Sequence, residues 1–267
     1  MKRIYYPLLA LALGVIGFFL RMQQLSAALS PSTGMPILHH PYSYALIALT
    51  VIGTLLLFFL SFFVANEAQD WYSAYHADTL LQGLEFLSAA AFLVGTGMIF
   101  RTLFLTYLNN GGGNLLAVLF QTQPFLLFLG ILMLCATAAV FFMVLRNGDS
   151  GSWSLAPLIP GFMSCVWLVL TYHSNASNPS VMSFAWQVFA VSSAALAWYF
   201  TASFAFQFPR PQAATWFSLL TVMLSVIALA DSVELYQKVL LAATALWFLV
   251  RSILLIDNAE YSGKHTE

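Results

Sequence analysis

Residues 155–172 run for eighteen positions without a charged side chain, and a second apolar segment, residues 180–206, follows after a short polar turn. At 1.5 Å of rise per residue, about 20 apolar residues cover the ~30 Å hydrocarbon layer of a bilayer. Residues 153–210 therefore read as two membrane-spanning helices joined by a turn, and this hairpin sets the scale for the chain. Pro157 and the Pro160-Gly161 pair fall in the first turns of the first helix. A missing N–H costs little there, but a second proline loosens the helix, so a bend near residues 157–161 is expected. Such a bend serves packing, or marks a broken helix that lines a cavity. The joining turn, Tyr172-His173-Ser174-Asn175-Ala176-Ser177-Asn178-Pro179, is rich in turn and cap formers.

The second helix of the hairpin carries Ser183, Gln187, Ala190, Ala194, Ala197 and Thr201 at three- and four-residue spacing. These share one face. In lipid, burial of apolar area no longer favours one helix neighbour over a lipid tail, so small and weakly polar faces drive close helix approach. The stripe reads as a packing seam. Trp186, Trp198 and Tyr199 suit interfacial belts.

The rest of the chain repeats this pattern. Only 7% of the 267 residues are charged and 61% are hydrophobic, where a soluble domain carries about 25% charged residues. There is no basic cluster of the kind nucleic acid requires, so nucleic-acid binding is excluded as a reading. Cys135 and Cys165 both lie in apolar segments and suggest no disulfide framework.

The expected fold is an all-α integral membrane bundle of eight transmembrane helices, over residues 4–25, 42–64, 79–108, 115–145, 155–172, 180–206, 212–230 and 235–256. The first has an alternative: Lys2-Arg3, the apolar run 7–20 and the small residues Ser26 and Ala28 also fit a cleavable signal peptide. The fourth is long enough to tilt, or to break at Pro124. Residues 66–78 are polar and aromatic and could form a short interfacial helix. The glycine-rich 109–114 segment lacks the Lys-Ser/Thr ending of a phosphate loop and reads as a turn.

Eight spans put both termini on one side. Placing them in the cytoplasm, of a bacterial-type plasma membrane, puts Lys2, Arg3, Arg146, Arg210, Arg251 and Lys264 inside against Arg21, Arg101 and Lys238 outside. The layout also suggests a four-plus-four repeat, residues 1–146 and 147–267. Pro7 matches Pro157, Pro41 matches Pro179, and Arg101 matches Asp231. Parallel repeats of this kind place the important surface between the halves.

Charge inside a membrane costs ~2.5–3.5 kcal/mol per group at a helix centre on insertion scales, so it faces a partner or water. Glu85 and Arg251 lie at matching depth near one face, and Arg101 and Asp231 near the other. Two ion pairs are expected: Glu85 with Arg251, and Arg101 with Asp231 or Glu234. The alternative is snorkelling to the nearest interface, open to Arg21 and Arg251 in particular.

No enzyme signature stands out. His-Glu-x-x-His, Gly-x-Ser-x-Gly, a dinucleotide fingerprint and an acidic metal cluster are all missing from the sequence. His39-His40 lacks a third ligand, and His173 beside Tyr172 and Asn175 reads first as a helix-end residue. Asn175-Ala176-Ser177 matches the glycosylation pattern, a weak signal. No catalytic residue, cofactor or metal is expected.

Three functional readings remain. The leading one is small-solute transport or solute binding along a polar path involving Arg101, Gln187, His173 and Asp231. The second is a membrane enzyme acting on a lipid or lipid-linked substrate. The third is a scaffold or sensor subunit. Expected partners are membrane lipids, a small-molecule solute, and a membrane-protein partner or a second copy of the chain. A cavity joining both faces favours the first, a lateral opening toward lipid the second, and a closed bundle with a flat small-residue face the third.

Overall fold

A computed structural model describes residues 5–28, 37, 40–64, 71–111, 114–147, 155–175 and 184–262, without the side chains of 73 and 259–262. Lys2, Arg3, His39, Lys264, Ser183, the 30–36 loop and the Ala176-Ser177-Asn178-Pro179 part of the hairpin turn lie outside the described residues. All regular structure among those described is helical: α1 (Tyr5–Ala27), α2 (Pro41–Ser61), α3 (Trp71–Tyr75), α4 (Thr79–Asn109), α5 (Leu115–Thr122), α6 (Pro124–Arg146), α7 (Leu158–Ser174), α8 (Ala185–Ala205), α9 (Pro211–Ala228) and α10 (Leu235–Ser262). Seven of them, α1, α2, α4, α6, α8, α9 and α10, are long and apolar enough to cross a membrane. α7 is apolar but has 17 residues.

Prolines and caps set the helix starts. Pro41, Pro124 and Pro211 each open a helix at its first position, where a lost N–H has no intrahelical partner to forfeit. His40 Nδ1 accepts from the Tyr42 N–H, and Asn114 Oδ1 from that of Ala117. The long fourth segment divides at Gln123-Pro124 into α5 and α6, because the residue before proline is pushed out of helical geometry. Gln123 takes φ −143° and ψ 59°.

α9 and α10 form the centre. About 78% of the apolar stretch of α9 is buried, against 22% in α2, so α9 is surrounded by protein and α2 presents most of its surface outward. α9 packs on α1, α2, α8 and α10, and α10 also on α4 and α3. The arc α4, α6, α7, α8 closes one flank of this pair, and α1 with α2 the other. Close approach requires glycine: a Cβ on Gly17 of α1 would stand 2.5 Å from Ile227 of α9, and one on Gly95 of α4 2.5 Å from Leu240 of α10.

The α8 seam is buried against α7 and α9 through Gln187, Ala190, Ala194, Ala197 and Thr201. The belt reading fails for two of its three aromatics. Trp186 and Trp198 are buried, and Trp198 stacks on Trp247 at 5.4 Å between ring centroids, while Tyr199 is exposed. The seam itself explains this: Trp186 and Trp198 flank its small residues on the helix surface and follow them into the bundle.

Candidate functional site

The long helices alternate in direction, so the chain ends of α1, α4, α7 and α9 and the starts of α2, α6, α8 and α10 gather at one end of the bundle. Arg21 and Asp231 meet there. Arg21 Nε donates to Asp231 Oδ1 at 2.7 Å, Arg21 Nη1 to Gln24 Oε1 at 2.6 Å, and Gln24 Nε2 to Ser43 Oγ at 3.0 Å. Arg21, Gln24 and Asp231 are all buried. The second carboxylate oxygen, Asp231 Oδ2, has no partner. Burial raises the Asp231 pKa to about 6, and the Arg21 charge only partly offsets it.

At the opposite end Arg251 of α10 lies 2.9 Å from Glu85 of α4, Nε to Oε1, and both are buried. The contact is coulombic without hydrogen-bond alignment, since Glu85 Oε1 and Arg251 Nε and Nη1 have no hydrogen-bond partner. Aromatic faces surround the guanidinium instead: Trp247 at 4.5 Å, Tyr75 at 4.8 Å and Trp71 at 5.6 Å from ring centroid to Cζ. Burial pushes the Tyr75 phenol up to about 12, so it stays a neutral face to the cation. Asn147 and Asn258 hold the backbone beside α3: Asn147 Oδ1 accepts from the Ala77 N–H, and Asn258 Nδ2 donates to the Ala74 and His76 carbonyls.

Arg101 does not join Asp231 or Glu234. It is exposed on α4 and makes no ion pair among the described residues. The buried face of α4 carries Ile99 and Leu103, and a residue two positions from each points about 200° away. Arg21, read as a snorkelling residue, takes its place.

A cavity of about 280 Å³ occupies the Arg21–Asp231 end, lined by the α5–α6 break, the end of α7 and the first turn of α10. α7 and α10 make no close backbone approach, and the cavity is the space this leaves. Among its lining residues Trp167 and Thr171 are buried, and Trp167 Nε1, Thr171 Oγ1 and Gln123 Oε1 each lack a hydrogen-bond partner. Buried polar atoms are rarely left so, and each asks for an explanation. His173 also lines the cavity, its ring 4.6 Å from that of Phe125.

Of the four residues expected on a solute path, only His173 reaches this cavity. Gln187 is buried in the α8 seam with Nε2 unpartnered, Asp231 is taken up by Arg21, and Arg101 faces outward. The path is therefore not assembled. Sequence reading missed Trp167, Thr171 and Gln123; the local signal was the prolyl break at Gln123-Pro124 facing the His173 turn.

A second opening, of about 560 Å³, lies on the side of the bundle between α2 and α8, with α9 as its floor. Its walls include Thr54, Phe189, Leu196 and Leu220, and none of the described residues that line it titrates. A lipid-processing site would need an acid or base there. No three His, Cys, Asp or Glu side chains cluster to hold a metal among the described residues. No family model, curated protein or solved structure matches the chain.

Proposed function

We propose that this multi-pass membrane protein binds a small solute in the cavity between α5, α6, α7 and α10. One observation carries the reading: the α5–α6 break, the end of α7 and the first turn of α10 leave an open volume of about 280 Å³, lined by apolar and polar side chains that include Gln123, Trp167, Thr171 and His173. The broken α5–α6 element at the rim supports the same reading, since irregular backbone at membrane depth belongs where it lines a cavity.

The topology we infer has eight crossings. α7 spans about 26 Å by its length, and the turn at residues 155–157 extends it toward a full crossing. Both termini then share a side, which the count of basic residues makes the cytoplasmic one. The cavity faces the opposite side. The four-plus-four duplication is not carried into this reading, because α8 packs along α9 whereas α2 and α4, their counterparts, do not touch. Transport needs a route from the cavity to the cytoplasmic end, and the aromatic cage of Arg251 stands there. Binding is the function the geometry supports best.

The test is a thermal-shift screen of the purified protein against solutes and lipids, repeated on Thr171→Val and Trp167→Phe. The control is Thr244→Val, a buried threonine whose hydroxyl already donates to the Leu240 carbonyl away from the cavity. A soluble ligand should stabilise the wild type and the control and lose its effect in the two cavity variants, since binding only the native state raises stability. Stabilisation by lipids alone, or equally in all three variants, removes the reading.

A further inference from the structure

We propose that the side opening between α2 and α8 is a blind slot that holds one acyl chain of a membrane lipid, drawn from the leaflet at the Arg21–Asp231 end. Depth is the first argument. α2 and α8 start at that end and α9 finishes there. The lining residues come from 47–55 of α2, 186–196 of α8 and 217–224 of α9. At 1.5 Å per residue these stretches begin about 2–9 Å from their helix ends and stop at about 17–21 Å. One leaflet is half of the ~30 Å hydrocarbon layer, about 15 Å. The slot is therefore one leaflet deep.

Closure is the second argument. Phe58 of α2 meets Trp216 of α9 edge-on at 4.9 Å between ring centroids, Trp216 lies 4.4 Å from Phe217, and Phe217 stacks on Phe200 of α8 at 5.2 Å. These four rings bridge α2 to α8 across α9 at the inner end of the slot, where the two helices make no close backbone approach of their own. A partner helix would cross both leaflets, whereas the slot ends at the rings. Width excludes it as well: about 560 Å³ spread over ~15 Å leaves a section about 7 Å across, against 10–12 Å for a helix with its side chains. A methylene chain, whose carbons pack at about 3.5–4.0 Å, fits. Leu224 at the floor is buried, while Val51, Leu55, Phe189 and Leu196 along the rims are exposed, so the slot opens sideways to lipid.

The chemistry of the lining is the third. No charged residue lines the slot among those described. Two of its hydroxyls are spent within their own helices: Thr50 Oγ1 donates to the Leu46 and Ile47 carbonyls at 3.0 and 2.9 Å, and Ser193 Oγ to the Ala190 carbonyl at 2.8 Å. A polar headgroup gains nothing there, so the chain enters and the headgroup stays at the helix ends. Burial of apolar area does not favour the slot over bulk lipid. Dispersion does, because a chain between two walls and a floor touches protein on three sides, and a chain on a single helix face on one.

The experiment places the whole protein in phosphatidylcholine–phosphatidylglycerol vesicles with a small share of a phosphatidylcholine that carries a diazirine either near the carboxyl end or near the methyl end of one chain. After irradiation the labelled residues are mapped by peptide mass spectrometry. Residues 47–55 and 186–196 should be labelled about threefold or more above the exposed Leu87, Leu93 and Val94 of α4. The carboxyl-end probe should favour Ile47 and Phe189, and the methyl-end probe Leu55 and Leu196. Thr54→Phe and Ser192→Phe, which fill the slot, should each return the labelling to the α4 level, and Val94→Phe should leave it unchanged. The depth order in the wild type needs no variant, so it decides the matter should either filled protein fold poorly. Equal labelling of α4 and the slot means lipid in general contact only and overturns the proposal. An enrichment that both filling variants leave intact, or one without depth order, overturns it too. So does a slot labelled less than α4, and a crosslink between copies through Val51→Cys would then make protein the occupant.

Discussion

At one end of the bundle Asp231 meets Arg21 within a run of hydrogen bonds that continues through Gln24 to Ser43; at the other, Glu85 meets Arg251 inside a ring of aromatic faces. The difference follows from where each arginine sits. Arg21 lies in the last two turns of α1 and Asp231 in the turn between α9 and α10, where short polar side chains from neighbouring helix ends are within reach. Arg251 lies sixteen residues into α10, about 24 Å from its start. Backbone groups there are already used by the helix. What remains to a cation in such a place is a carboxylate and the negative faces of rings, and Trp71, Tyr75 and Trp247 supply them. Polar runs suit a buried charge near a helix end, and aromatic cages suit one inside.

Removing the cations should break the comparison most visibly. Arg251→Met leaves Glu85 buried with no other charge beside it among the described residues, and the loss expected for an uncompensated buried group is about 3–5 kcal/mol. Arg21→Met leaves Asp231 at a helix end with the Lys238 charge still acting on it, so the loss should be smaller, about 2 kcal/mol. Unfolding of the two variants in one detergent, at one pH, measures both. Equal losses would mean that the aromatic cage and the hydrogen-bonded run hold charge equally well. The reciprocal exchange Glu85→Arg with Arg251→Glu sharpens the point: it should recover part of what either single change loses, and no recovery would assign the stability at that end to the cage alone.

The next effect is the pH dependence of the Asp231 end. The pKa of Asp231 is about 6 in the folded protein against an ordinary 3.8. A raised pKa means the folded state favours the protonated form, so this contribution to stability is complete below about pH 4 and is lost as pH rises through 6. The loss between pH 4 and pH 7 should be about 1–3 kcal/mol, and flat beyond. In Asp231→Asn the slope should fall by that amount whatever the variant's baseline stability. An unchanged slope would place the titrating group elsewhere.

Much of this architecture can be read from spacing, and the exceptions are instructive. The buried face of α1 is Pro7, Ala10, Gly14, Gly17, Arg21 and Gln24, a regular alternation of three and four. That rhythm already carries Arg21 and Gln24 onto the packing face. A reading that weighs only the closeness of Arg21 to a helix end sends it to the interface instead. Depth along antiparallel helices relates Glu85 to Arg251, while the cage depends on α3 folding back over α10, which no local pattern encodes. The cavity is less legible still. It exists because α7 and α10 stay apart, and a contact that is not made leaves no mark on the residues that would have made it.

Arg101→Gln should have the smallest effect of all, which gives it its use. The side chain is exposed, two positions from the buried Ile99 and Leu103, and pairs with neither Asp231 nor Glu234. Substitutions at such sites fall within about 0.5 kcal/mol of the wild type. The guanidinium sits eight residues from the end of α4, about 12 Å along the axis, a distance that a long side chain partly covers by reaching toward the interface. Replacing it should therefore leave both the unfolding midpoint and ligand binding unchanged in the thermal-shift screen that reads Thr171→Val. A loss of binding in Arg101→Gln would show that this charge turns inward in the membrane. It would then join the solute path that the observed arrangement leaves unassembled, and transport would displace binding as the better account of the cavity.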